Sequence, residues 1–263
     1  MSEQELLRGL VNVIKEAGEI ALEHAYTGFR EPRLADSDIP FATADQEINS
    51  YLLIHLTELF PEAGWLSQQT ADNPKRLQKE YVWIVDPIDG SYDFVRGSNE
   101  WVISIALVHN GQPYISAVYN PRKEHLYTAI KAEGAYLNGR PIFSSGDVND
   151  PPILLYSRNS RKYRKMLTPL DPDHNIQPIG SLAYRLCLVA SGEADATISF
   201  NAWKIHEWDI AAGTLILNEA GGAVYSKHLG ADLRFNQEKI RFEGVVGVSE
   251  GYQSFPSNLR ELL

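Results

Sequence analysis

The chain has a single cysteine in 263 residues, Cys187. An internal disulfide is therefore excluded, and the scarcity fits a reducing, cytoplasmic setting. Cys187 lies in Leu186-Cys187-Leu188-Val189, a context that reads as a small core residue and not as a nucleophile. No apolar run approaches the roughly 20 residues that a membrane-spanning helix needs. The start, Met1-Ser-Glu-Gln-Glu, lacks the basic and apolar regions of a signal peptide. Positive charge is also in short supply, since 24 Lys and Arg against 34 Asp and Glu leave a net charge of −10. That balance argues against a broad basic face for a nucleic-acid polymer. An anionic ligand would instead need metal ions, helix N-termini or a confined basic cluster. The densest such cluster runs from Arg158 to Lys165, and it reads either as a solvated helix face or as an electrostatic rim for a phosphorylated ligand.

No internal repeat and no low-complexity segment interrupts the chain, which is long enough to bury a sizeable core. Leu7, Leu10, Val11, Ile14, Ala17, Ile20 and Ala21 carry the spacing of a helix with one buried stripe over residues 4–25. After the polar link 30–40, Thr43-Ala44-Asp45-Gln46 reads as a capping box opening a second helix, with Asp45 in its first turn. From Tyr81 the period becomes that of strands, at 81–85, 102–108, 113–119 and 125–130, with Asn110-Gly111 as a hairpin signal and Asn138-Gly139 as a second turn. A polar stretch from Ser144 to Pro152 marks the expected boundary. Beyond it, strands at 153–157, 195–199, 223–226 and 243–248 alternate with helical patterns at 160–168, 181–192 and 209–220. The expected organisation is an α+β half, 1–147, with an α/β half, 148–263, packed tightly on it.

The most informative stretch is Trp83-Ile84-Val85-Asp86-Pro87-Ile88-Asp89-Gly90-Ser91. An apolar strand there delivers two carboxylates and a hydroxyl into a turn set by Pro87 and Gly90. Close carboxylates repel unless a cation lies between them. Oxygen donors without Cys or His favour Mg²⁺, or Mn²⁺, over zinc. The structural alternative is an Asp-Pro turn with a capping Asp. A second acidic motif follows at Trp208-Asp209-Ile210-Ala211-Ala212-Gly213, where Asp209 opens a helix of small residues and either caps it or reaches a neighbouring site.

The order of these motifs resembles the inositol monophosphatase superfamily of magnesium-dependent, lithium-sensitive phosphatases. The resemblance rests on Thr43-Ala44-Asp45, on Asp86-Pro87-Ile88-Asp89-Gly90-Ser91, on Gly180-Ser181 with Val189-Ala190-Ser191-Gly192, and on Trp208-Asp209 with Glu219-Ala220-Gly221-Gly222. It implies a layered αβαβα sandwich of the inositol monophosphatase and fructose-1,6-bisphosphatase type, and a homodimer. It implies two or three Mg²⁺ ions, with Asp86 bridging two of them, the Ile88 carbonyl completing the first site, and Asp89 and Asp209 holding the second. Such a pair of cations binds the attacking water and neutralises the leaving oxygen in an in-line displacement. Ser91 would help orient the water, Asp45 is an acid that could compensate for a weakened first site, and Gly90, Ser91, Gly180 and Ser181 would line the phosphate site.

The departure is Leu66-Ser67-Gln68-Gln69-Thr70, where the family has two adjacent acids. Gln68 stands at the position of an acid that binds the first metal and helps activate water. An amide oxygen can coordinate magnesium but carries no charge and accepts no proton. Reduced activity, or a pseudoenzyme that binds phosphorylated metabolites, is the alternative this raises. The family's polyol-binding Glu is also replaced, by Ala202. Trp203 could stack on a base, and Lys204 and Arg158 could meet a second phosphate. The resemblance thus leans toward 3′-phosphoadenosine 5′-phosphate, with inositol monophosphate or a sugar phosphate as the other choices. His206 reads as a structural hydrogen-bonder.

Overall fold

The computed structural model describes residues 1–27, 38–158, 165, 167, 174–200, 205–226 and 233–253. Helix α1, Glu3–Thr27, buries Leu6, Leu10, Ile14, Ala17, Ala21 and Ala25 at helical spacing. Helix α2, Asp38–Leu59, packs beside it through Ala44, Ile48, Leu52 and Leu56. This helix corrects the expected capping box, because it begins more than a turn before Thr43. Pro40 falls in the first turn, where a missing N–H costs no intrahelical bond. Asp45 therefore lies in the helix interior and not at a dipole-favoured end.

Strands β1 (Gly64–Ser67), β2 (Tyr81–Asp89), β3 (Val102–His109), β4 (Gln112–Asn120), β5 (His125–Ile130), β6 (Ala135–Leu137) and β7 (Arg140–Ile142) form one sheet in sequence order. Only the β1–β2 pairing is parallel. Asn110 and Gly111, and likewise Asn138 and Gly139, all have positive φ, as type I′ hairpin turns require. One face of the sheet, with Trp83, Val85, Ile103, Ile105 and Leu107, packs against α1 and α2. The other face, with Val82, Ile84, Val102, Ala106 and Val118, packs against two later helices.

A polar clasp built on the buried Arg76 ties the 3-10 turn Pro74–Gln78 to residues 236–237. Arg76 holds Asp72 at 2.6 Å, Asn236 Oδ1 at 2.7 Å and the Gln237 carbonyl at 3.0 Å.

A short helix, α3 (Ser91–Val95), follows β2. The second sheet contains β8 (Ile153–Ser157), β9 (Asn175–Ile179), β10 (Ala196–Ser199), β12 (Ala223–Ser226) and β14 (Val245–Val248), in the order β12-β14-β10-β8-β9. It is mixed: β8 runs parallel to β9 and β10, while β14 is antiparallel to β10 and β12. Strand β9 escapes the sequence pattern because Pro178 interrupts it, and a proline is tolerated at this sheet edge. A two-stranded ribbon pairs β11 (Ile205–His206) with β13 (Arg241–Phe242).

Helices α4 (Leu182–Ala190) and α5 (Glu207–Glu219) are nearly all buried and share one core with Leu155, Val224 and Val245 of the second sheet. The outer face of that sheet buries Leu154, Tyr156, Ala196, Ile198, Val246 and Val248, with Leu167 packed on it. The architecture is thus the layered α/β sandwich, with α4 and α5 as the middle layer between the two sheets. Of the expected helix 160–168, only residues 165 and 167 are described, and both are helical.

Candidate metal centre

A regular strand sends residues three apart to opposite faces. Asp86 and Asp89 escape that rule because β2 carries an irregularity between them: Asp86 pairs with Ser104 and Asp89 with Val102, two positions apart on β3. Two residues of β2 thus oppose the single Ile103, and the extra residue returns Asp89 to the face of Asp86. Ile88 is turned to the opposite core and is buried, while its N–H donates to Asp86 Oδ1 at 3.1 Å. The expected turn after Val85 is therefore a bulge inside the strand, and the chain leaves the sheet only at Gly90. Gly90 has φ +99°, and a Cβ there would stand 3.0 Å from the Glu100 carbonyl and 3.1 Å from Trp101 Cα. No other residue fits this exit without strain. Ser91 follows as the exposed first residue of α3.

Asp209 comes from the middle layer. Helix α5 begins two residues earlier than the sequence suggests, so Asp209 is its third residue, and its Oδ2 accepts the His206 N–H at 2.6 Å. Capping and reaching are both true of it. One carboxylate oxygen each from Asp86, Asp89 and Asp209 lies within 4.8 Å of the other two. Burial, followed by the charges of Asp89, Asp209 and Asp45, pushes the Asp86 carboxyl well above the usual carboxylate range. Burial and the Asp209 charge raise Asp89 as well, opposed by hydrogen bonds from Ser181 and the Ala183 N–H and by the Arg185 charge. Three acids that repel one another in a buried cluster, with oxygen donors alone, fit a hard divalent cation.

Gly180 and Ser181 frame the centre from behind. Ser181 is fully buried; its Oγ donates to Asp89 Oδ2 at 2.6 Å and accepts the Tyr184 N–H at 3.0 Å, and the Ala183 N–H reaches the same Asp89 oxygen at 2.7 Å. Its hydroxyl thus holds a carboxylate of the centre, which is a different use from the substrate contact expected of it. Behind it, the buried Arg185 donates to the Ile198 carbonyl at 2.9 Å and the Ser181 carbonyl at 3.3 Å, placing a fixed positive charge near Asp89. Sequence reasoning passed over Arg185 because an arginine inside Tyr184-Arg185-Leu186 gives no sign of its burial.

Gln68 follows β1, and its N–H donates to the Val85 carbonyl at 3.3 Å. Since Ser67 pairs with Val85, the parallel register places Gln68 beside Asp86. Its neighbour Gln69 was not anticipated as a partner, yet its side-chain amide donates to Asp45 Oδ2. Asp45 is fully buried in α2, its Oδ1 has no hydrogen-bond partner among the described residues, and burial raises its carboxyl to about 7 despite the Gln69 bond. Glu219, part of the second motif, stands apart from the acids: it accepts the Ala132 and Gly134 N–H groups at 2.8 and 3.0 Å and so fixes the turn after β5. His206 stacks on Trp208, with ring centroids 4.5 Å apart and planes 8° from parallel.

Arg158 is not an open cation. It donates to Asp93 at 2.8 Å and to the Pro178 carbonyl at 3.0 Å, and it pairs with Glu100 at 2.5 Å. Trp203 and Lys204 lie outside the described residues, as do Ala202 and most of the basic cluster.

A layered sandwich with a three-carboxylate centre at a strand bulge defines a class of metal-dependent phosphatases, and the inositol monophosphatase family model matches residues 2–243. The chain belongs to the inositol monophosphatase family. It is 30% identical over 229 residues to an inositol monophosphatase of Dictyostelium discoideum, covering 83% of each chain. It is also 30% identical over 234 residues to human inositol monophosphatase 1, covering 84% of this chain and 83% of that one. Among solved structures, it resembles CysQ from Bacteroides thetaiotaomicron, a bacterial member of the same family, with TM-score 0.79 and 26% identity over 93% of this chain and 97% of the other. The extragenic suppressor protein suhB from Bartonella henselae shares the fold, with TM-score 0.80 and 24% identity over 97% of each chain. No helix of the described residues is long and apolar enough to cross a membrane.

Proposed function

We propose that the protein is a Mg²⁺-dependent phosphomonoesterase acting on a small phosphorylated metabolite. The observation that carries this reading is the convergence of Asp86, Asp89 and Asp209 from two layers onto one point. Bound there, Mg²⁺ would lower the pKa of a coordinated water and neutralise phosphate charge. Asp86, Asp89 and Asp209 would hold the metal, joined by the Ile88 carbonyl and the Gln68 amide oxygen. Ser181, the Ala183 N–H and Arg185 keep Asp89 aimed. Ser91, exposed on the turn that follows Asp89, would orient the water, and the buried Asp45, to which Gln69 donates, would serve as a nearby proton acceptor. None of these groups attacks phosphorus covalently in this reading.

On substrate, the pairing of Arg158 with two carboxylates favours a monophosphate over a bisphosphate, because the cation expected to meet a second phosphate is already neutralised. The curated relatives named as inositol monophosphatases support the same choice. The bisphosphate reading, with 3′-phosphoadenosine 5′-phosphate as substrate, rests on Trp203 and Lys204. Magnesium-dependent phosphate release across inositol 1-phosphate, 3′-phosphoadenosine 5′-phosphate and fructose 1,6-bisphosphate decides between them. Release from the first at a kcat/KM at least about tenfold above the second is expected, a difference of about 1.4 kcal/mol. The reverse order would restore the nucleotidase, and no release with ligand-induced thermal stabilisation would mark a binding protein.

Gln68→Glu restores a charged donor beside Asp86. It is expected to lower the Mg²⁺ concentration at half-maximal rate and to raise kcat, each by about tenfold, if the added charge contributes about 1.4 kcal/mol. Unchanged magnesium dependence together with unchanged kcat would remove Gln68 from the site.

A further inference from the structure

The geometry points to Arg158 and Asp93 as a brace that positions the turn Asp89–Asp93, with Arg158 acting as a positioning residue and not as a phosphate ligand. The inference rests on the phosphatase reading above and extends it to residues outside the three-acid centre.

Asp93 lies two residues beyond Ser91 and is only 1% exposed. Its Oδ1 accepts Arg158 Nη1 at 2.8 Å and Ser98 Oγ at 3.1 Å. Its backbone closes the turn on both sides, since its N–H donates to the Gly90 carbonyl and its carbonyl accepts the Ser98 N–H, each at 2.9 Å. Its Oδ2 presses on the bare Cα of Gly180, so closely that a Cβ there would be 1.7 Å away. Only glycine permits this approach. The next residue, Ser181, holds Asp89. Arg158, just past β8, grips the Pro178 carbonyl through Nη2.

The five residues Asp89–Asp93 are therefore pinned at both ends on one short stretch, 178–183. Asp89 is held by Ser181 and Ala183. Asp93 is held by the contact with Gly180 and, through Arg158, by Pro178. Ser91 sits between the two anchors. Charge decides against the alternative role for Arg158. One guanidinium, 34% exposed, faces two carboxylates, Asp93 and Glu100, so the cluster carries a net negative charge that a phosphate would avoid. A displacement of about 1 Å at a reacting group costs on the order of 10²-fold in rate, which sets the scale of what the brace protects.

The test uses Arg158→Ala, Arg158→Lys, Asp93→Asn and the double variant Arg158→Ala/Asp93→Asn in the full chain. The kcat and KM are measured with Mg²⁺ on inositol 1-phosphate and on 3′-phosphoadenosine 5′-phosphate. Arg158→Ala is expected to lower kcat on the order of 10²-fold on whichever substrate the wild type cleaves, with KM within about threefold. Arg158→Lys should recover only part of the loss, because an ammonium cannot bridge Asp93, Glu100 and Pro178 as a fork does. The double variant should be no slower than the worse single variant. A KM increase confined to the bisphosphate with kcat retained, or losses that multiply in the double variant, would overturn the brace. If the wild type cleaves neither of these nor fructose 1,6-bisphosphate, the phosphatase reading fails separately, and the brace is then read from thermal unfolding. Tm losses of the two single variants should be non-additive, and additive losses would sink it. If Arg158→Ala does not fold, the Arg158→Lys and Asp93→Asn cycle carries the same comparison.

Discussion

Asp86→Asn is expected to reduce magnesium-dependent phosphate release by at least about 10³-fold while raising the melting temperature of the metal-free protein. Both effects come from one buried carboxylate. Asp86 is 1% exposed, and its charge is opposed first by burial and then by Asp89, Asp209 and Asp45. Without metal, removing that charge relieves repulsion among four acids. With metal, it removes the donor at the centre of the cluster, and a loss of about 4 kcal/mol of transition-state stabilisation corresponds to about 10³-fold. The opposite signs distinguish a functional acid from a structural one, since stability given up at a site that works is the usual trade. Activity assays with a Mg²⁺ titration, alongside melting curves in a chelator, read both. A variant that lost stability in chelator and kept its activity would place the metal elsewhere.

Metal-free protein is expected to lose stability as pH rises from about 4 to about 7, and Mg²⁺ is expected to abolish most of that slope. Burial raises Asp45 to about 7 from 3.8, and it raises Glu207 to about 7 from 4.5 even though the Asn236 and Gln237 N–H groups donate to it. Asp86 and Asp89 are displaced in the same direction. A carboxyl whose folded pKa lies above its unfolded value binds more protons in the folded state between the two values. Stability then falls with pH across that window and levels off above the folded value. All four groups act with the same sign, so the slope does not depend on any one of them. A fall in Tm of roughly 5–10 °C between pH 5 and pH 8 in chelator is the expected scale, at about 2–4 °C per kcal/mol for a chain of this size. A cation in the cluster favours the ionised acids, so melting curves with Mg²⁺ should be flatter and higher above pH 7. A chelator curve that rises over the same range would show that the acids are not held at a common buried centre.

Much of the scaffold is legible locally. Strand β5 follows from a short run of strand-forming residues between turns, and the Asn110-Gly111 and Asn138-Gly139 turns follow from residues that tolerate positive φ. Helix α1 follows from a stripe repeating every three or four residues. The errors have local causes too. Helix α2 begins before its apparent cap because Pro40 is harmless in a first turn, and β9 is hidden by Pro178 at a sheet edge. No helical pattern separates the strands expected at 223–226 and 243–248, and β14 enters antiparallel to β12 and β10, a direction set by the connections and not by the strand's own residues.

The sequence by itself brought Asp86, Asp89 and Asp209 forward as the candidate metal ligands, since oxygen donors in those two motifs suit one kind of cation. It also singled out Gln68 as the departure from the family's acids, because an amide is legible as an amide wherever it folds. Only the tertiary structure decided what surrounds them. The bulge that turns Asp89 to the face of Asp86 is a property of the pairing with β3. The bond from Gln69 to Asp45, the grip of Ser181 on Asp89 and the capture of Arg158 by Asp93 and Glu100 join residues 24, 92, 65 and 58 positions apart, respectively. Such contacts leave no periodic trace in the chain. A side chain's charge is written in the sequence, but whether that charge faces a ligand or a partner depends on what folding brings beside it.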